Sequence, residues 1–137
     1  MPISLTVSGH TASGHDYADT LGEQYTYPKR YRKLIVPGET VIFYTGTRSY
    51  PGKKSLSYLG IAIVAEIRDA VNSTDGDLQC GFHCYTEFQE PIPFKTAGRY
   101  LESKANGNPN HWRQGVRRIS MEDLHAILSL ERCLRTS

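Results

Sequence analysis

Aromatic rings and cations are the groups in this sequence with chemistry to offer, and they fall close together. Tyr25, Tyr27 and Tyr31 interleave with Lys29, Arg30, Arg32 and Lys33, while Tyr44 and Tyr58 flank a loop carrying Arg48, Lys53 and Lys54. Trp112, the one tryptophan, sits in the polar and basic run Asn108-Pro-Asn-His-Trp-Arg113. A core tryptophan normally has apolar sequence neighbours, so this setting suits a pocket or an interface. Flat π-faces stack and cations pair with anions. The chemistry these residues offer is binding rather than bond-breaking.

The bond-breaking and metal readings find less support. Cys80-Gly-Phe-His83-Cys84 holds zinc-type ligands, but a structural zinc site needs four, usually from two separated pairs, and no second pair follows. Along a strand His83 and Cys84 would also point opposite ways. Cys84 with His10 or His15 could form a thiol–imidazole pair, yet nothing local marks a lowered thiol pKa. Neither G-x-x-x-x-G-K-[ST] nor G-x-G-x-x-G occurs, which leaves nucleotide hydrolysis unsupported. No cofactor and no metal are expected.

Totals bound the class. A chain of 137 residues, 39% hydrophobic and 22% charged, suits one soluble domain over residues 1–137. No stretch approaches the roughly 20 apolar residues of a membrane span, and the first residues lack the basic start and apolar block of a secretory signal. Cys80, Cys84 and Cys133 are odd in number and read as free thiols in a reducing compartment. A cytoplasmic location follows as the expectation.

The net charge of +2 hides a strong segregation. From Tyr25 to Tyr58 the cations Lys29, Arg30, Arg32, Lys33, Arg48, Lys53 and Lys54 meet only Glu39. From Glu66 to Glu90 acids dominate, with Arg68 the lone cation; from Lys95 to Arg118 the balance turns basic again, with Glu102 the lone acid. Two basic segments folded onto one face would make the electrostatic footprint of a nucleic-acid binder.

Elements must position these groups. Ile3 to Val7 alternates as a short strand, and the Gly-punctuated loop of His10 and His15 follows. A brief helical turn over Asp16 to Glu23 is weakly patterned. Pro28 suits a helix first turn, predicting a short helix to Leu34 before the Pro37-Gly38 turn. Thr40 to Tyr44 and Tyr58 to Ile67 are strands, the second nearly continuous in apolar residues and so buried on both faces near its start. Gly60 within it predicts a close backbone or ligand approach. A polar turn at Asn72 to Asp77 leads to a third strand region, Phe82 to Phe94. Ala97 to Lys104 reads as a short helix. Ser120 with Asp123 three residues on opens a capping-box-like helix over about Met121 to Leu130.

Pro37-Gly38-Glu39-Thr-Val41-Ile-Phe43-Tyr44 and Tyr58-Leu-Gly60-Ile-Ala62-Ile-Val64, preceded by the aromatic-basic segment, resemble the EVE domain of the PUA-like superfamily. The Y-x-Y-P-x-x-Y form of Tyr25 to Tyr31 is similar to the variant found as the N-terminal modified-DNA reader of HNH restriction endonucleases. Trp112 to Ser120, then His125 and Ile127-Leu128, resemble its closing segment. Glu39 stands where the family more often has Asp. The likeness runs from about Gly14 to Leu130.

The resemblance implies an α+β fold: a small β-barrel of five or six strands with flanking short helices and a C-terminal helix. It also implies a pocket for a methylated or hydroxymethylated base, such as 5-methylcytosine, flipped from DNA. Flipping costs stacking, which aromatic faces replace while cations hold flanking phosphates. The pocket residues would be Tyr27, Tyr31, Tyr44, Tyr58 and Trp112, and the backbone contacts Arg48, Lys53, Lys54, Arg113 and Arg117. No nuclease motif appears in the chain, so cutting would fall to a fused or partner nuclease of a restriction system. Two alternatives stay open. One is RNA as the ligand. The other is a small enzyme hydrolysing an acylated or otherwise modified nucleoside, for which Glu39, Glu66, Lys33 and Thr40 are unmarked candidates.

Overall fold

Alternation within Thr40 to Thr45 sets the architecture. Val41 and Phe43 lie on one side of the strand and Ile42 and Tyr44 on the other, and all four are buried, so the strand requires cover on both faces. The computed structural model describes residues 2–7, 21–47, 51–70 and 76–136. Arg48, the loop of His10 and His15, and most of the segments from Asp16 and from Asn72 lie outside the described residues.

The strands are β1 (Ile3–Thr6), β2 (Gln24–Tyr27), β3 (Thr40–Thr45), β4 (Ser57–Asp69), β5 (Leu78–Pro93), β6 (Lys95–Thr96), β7 (Arg99–Tyr100) and β8 (Val116–Arg118), followed by helix α1 (Met121–Thr136). Six of them form one curled sheet in the order β2-β5-β4-β3-β1-β8, and β6 pairs with β7 apart from it. β1 runs parallel to β3, while the other neighbours are antiparallel. Long β4 and β5 form the backbone of the sheet, and their pairing shifts register at several points. Such bulges increase twist and curl a sheet toward a barrel.

Each sheet face carries its own core. Tyr25, Tyr27, Tyr31, Ile35, Phe43 and Val64 pack on one side, and Ile42, Tyr44, Tyr58, Ile92, Leu124 and Ile127 on the other, under α1. The Ser120 hydroxyl accepts from the Asp123 N–H at 3.0 Å, which caps α1 as expected. Asp123 then turns away, and its carboxylate accepts from the backbone N–H and hydroxyl of Ser103. With no Gly or Pro beyond Leu130, the helix continues to Thr136.

Gly60 marks a close approach of backbone to backbone within the sheet. A β-carbon there would lie 2.6 Å from the Thr86 carbonyl oxygen, so the expected close approach is to β5 backbone. Two helical expectations are corrected. After Pro28 the chain makes only a 3-10 turn, Lys29–Tyr31. The residues after Phe94 form the β6–β7 hairpin, turned by Ala97 and Gly98 with φ of 50° and 78°. Positive φ at both central residues is the mark of a type I′ hairpin turn, and it ends any helix there.

The curl brings the two edges of the sheet together without strand pairing. The segment after β2 meets the segment before and along β8: the Tyr31 hydroxyl donates to Gln114 Oε1 and accepts from the Gly115 N–H, both at 3.2 Å. Arg118 Nη2 donates to the Lys33 carbonyl at 3.2 Å. This seam joins the basic run after β2, Lys29 to Lys33, to the basic run Arg113 to Arg118.

Candidate functional site

The end of β3 is re-aimed by a register shift between Phe43 and Tyr44, which pairs Phe43 with Gly60 and Tyr44 with Tyr58. Tyr44 thereby reaches the mouth of the sheet. Its ring stacks on Trp112, with centroids 4.9 Å apart and planes at 27°. Phe94 meets Trp112 edge-on at 5.5 Å, and Tyr100 does the same from β7. Thr6, Tyr44, Gly46, Thr47, Leu56, Phe94 and Trp112 line a recess of about 400 Å³ in front of these rings.

Beneath the rings lies a buried charge cluster. Glu102 is fully buried and accepts from Arg117 Nε at 2.7 Å, the Tyr58 hydroxyl at 2.8 Å, His111 Nε2 at 2.9 Å, the Ser4 hydroxyl at 3.0 Å and Arg117 Nη2 at 3.2 Å. Burial alone would push its carboxyl up. The hydrogen bonds from His111 and Arg117, the Arg117 charge and the Tyr58 hydroxyl outweigh that and lower it from 4.5 to about 2. An ionised carboxylate only accepts, so His111 carries its proton on Nε2. Burial, then the adjacent Glu102, drive the Tyr58 hydroxyl far up, and burial raises Tyr44 to about 12; both stay neutral.

Arg117 spends its remaining donors on Ser4 Oγ at 2.9 Å, Thr6 Oγ1 at 2.8 Å and the Gln114 carbonyl at 2.5 Å. Its guanidinium lies 4.9 Å from the Trp112 ring centroid and 5.2 Å from that of Tyr44. All five N–H groups are used, and the residue is 4% exposed. Arg117 is therefore the floor under the aromatic pair and not the surface cation its sequence setting suggests.

Of the residues singled out for a pocket, the structure brings Tyr44 and Trp112 to the recess and Tyr58 beneath them. Tyr27 and Tyr31 are buried in the core of the opposite sheet face, Tyr27 stacked on Tyr25 with centroids 6.2 Å apart. Among the cations, Arg113 and Lys54 are exposed, whereas Lys53 is ion-paired with Glu87. Phe94, Tyr100, Leu56 and Thr6 carried no sequence signal for this place. Glu102 and His111 did carry one: a lone acid in a basic stretch, and the histidine beside the lone tryptophan.

Cys80 is buried and Cys84 exposed. A φ of 59° at Cys84 breaks the strand alternation and sets its sulfur 3.5 Å from His83 Nδ1, where regular strand geometry would part them. No group of three or more His, Cys, Asp or Glu gathers for a metal among the described residues. None of their helices is long and apolar enough to cross a membrane.

A curled six-stranded sheet, a C-terminal helix and an aromatic mouth define the class: a mixed α+β domain. No family model and no curated protein matches the chain. Solved structures do match it. The DUF55 domain of human thymocyte nuclear protein 1 superposes with a TM-score of 0.59 at 13% identity, covering 96% of this chain and 98% of that one. Human THYN1 in complex with 5-methylcytosine-containing DNA gives 0.56 at 13% identity, covering 94% and 96%. The N-terminal domain of Staphylothermus marinus McrB gives 0.56 at 11% identity, covering 93% and 92%. At such identities the likeness is one of fold.

Proposed function

We propose that this domain is a modified-DNA reader that accepts a flipped, methylated or hydroxymethylated base in the recess before Tyr44 and Trp112. The observation that carries the reading is the stacked aromatic pair at the mouth of the sheet, fixed from below by a saturated Arg117–Glu102 cluster. A flipped base loses its stacking, and an aromatic face restores about 1–3 kcal/mol of it. At about 400 Å³ the recess falls within the roughly 300–1,000 Å³ of small-molecule sites. Leu56 and Phe94 offer apolar contact to a methyl group, and Thr6 and Thr47 are the polar side chains of its wall. A structural neighbour holding 5-methylcytosine DNA favours this ligand class.

The domain binds without bond-breaking in this reading, and any cutting falls to a fused or partner nuclease. Glu102, the carboxylate beneath the recess, has its oxygens filled by five hydrogen bonds and is held ionised, which makes it a poor proton acceptor for hydrolysis. RNA with an exposed modified base would meet the same rings, and competition between matched DNA and RNA strands separates the two ligands.

Trp112 supplies its own probe as the only tryptophan. Its fluorescence should be quenched on addition of a duplex with one 5-methylcytosine, and 2-aminopurine placed next to that base should brighten as stacking is lost. Binding that leaves both signals unchanged would exclude base capture at this recess.

A further inference from the structure

The seam that closes the sheet carries a second feature. Lys29, Arg30, Arg32 and Lys33 lie on one side of it and Arg113 and Arg118 on the other, all exposed, with no acid within either segment. Their relative placement is fixed by the Tyr31–Gln114, Tyr31–Gly115 and Lys33–Arg118 hydrogen bonds. Arg30 is held further by stacking over the Tyr31 ring at 4.9 Å. Among the described residues no carboxylate pairs with Arg30, Arg32, Lys33, Arg113 or Arg118, whereas Lys53 and Arg68 are ion-paired with Glu87 and Glu66.

The seam also shares a wall with the recess. Arg113 follows Trp112 directly, and the Gly115 carbonyl accepts from the N–H of Thr6, a recess-lining residue, at 2.8 Å. A polyanion tracking these cations would pass beside the aromatic pair.

We infer that the seam is the phosphodiester-binding surface of the domain, with Arg30, Arg32, Lys33, Arg113 and Arg118 as its contacts. It replaces Arg117 and Lys53 as the grip on the nucleic-acid backbone. Guanidinium groups already held at the seam, as those of Arg30 and Arg118 are, lose less freedom on binding phosphate than loop lysines do, and release of condensed counterions drives the association. The inference takes its partner from the reading above, but the two are measured by different quantities: the seam by salt dependence, the recess by base preference.

The test is the slope of log K against log salt concentration for a plain and a 5-methylcytosine duplex. The triple variant Arg32→Gln, Lys33→Gln, Arg113→Gln should flatten the slope by about 2–3, at about 0.9 per lost phosphate contact, with the ratio between the two duplexes unchanged. Arg32→Gln and Arg113→Gln alone should each flatten it by about one. The pair Lys53→Gln, Lys54→Gln should change it by less than one. A wild-type slope in the triple variant, or a larger loss in the Lys53/Lys54 pair, would overturn the inference. A flattened slope in a protein with no base preference would uphold the seam and refute the reader; failure to bind either duplex would refute both.

Discussion

Glu102→Ala should cost about 3–5 kcal/mol of folding stability, because it leaves the Arg117 guanidinium buried without its counter-charge. Domains of this size are stable by only about 5–15 kcal/mol, so the loss will show as a large fall in the urea midpoint. Burial makes removing one partner worse than removing both. Glu102→Leu combined with Arg117→Met should therefore cost less than the sum of the two single changes. Additive costs would mean that the two residues do not act as a pair.

The same cluster makes stability depend on pH. The carboxyl of Glu102 is lowered in the folded state, from 4.5 to about 2. Its contribution is present above the unfolded value and is lost as pH falls from about 5 toward 2. A shift of that size corresponds to roughly 3 kcal/mol, nearly undiscounted because the group is buried. Unfolding curves at pH 7 and pH 3 should differ by about 2 kcal/mol, the larger part of that amount, and the difference should shrink in Glu102→Gln.

Trp112→Ala should weaken binding of a 5-methylcytosine duplex by about 1–3 kcal/mol, five- to 150-fold, and remove most of the preference over plain cytosine. Trp112 lines the recess, lies over the Arg117 floor and stacks on Tyr44, so its loss opens the recess and uncovers the cation at once. Tyr27→Phe is the matched control. Tyr27 lies in the opposite core and its buried hydroxyl has no hydrogen-bond partner among the described residues, so the change should leave both binding and stability near wild type. A loss of preference in Tyr27→Phe equal to that in Trp112→Ala would place the site elsewhere.

Much of the frame is legible from residue order, and the site is less so. The apolar runs of β3 and β4 and the Ser120 cap of α1 announce themselves because period and capping are local properties. Val41 to Tyr44 also declares two alternating faces. What it does not declare is which face is the mouth, since that depends on the register with Tyr58 and Gly60 and on the shift after Phe43. Hence Tyr27 and Tyr44, alike in sequence setting, sit in opposite cores. Ala97 reads as helical because alanine favours helix, yet its positive φ serves the turn that brings Phe94 and Tyr100 to Trp112. Arg117 reads as a surface cation because charge is visible in a sequence and burial is not. Its partner Glu102, fifteen residues earlier in the same basic stretch, decides the matter once the fold buries the two together.

The central claim is that a modified base is held by the recess. Titration of the chain with matched short duplexes carrying cytosine, 5-methylcytosine, 5-hydroxymethylcytosine or N6-methyladenine, at two salt concentrations, tests it most directly. The account predicts that overall affinity falls with salt while a preference of about 1–3 kcal/mol for one modified base survives at both concentrations. Equal affinity for all four duplexes, vanishing together as salt rises, would contradict it and leave only a basic surface.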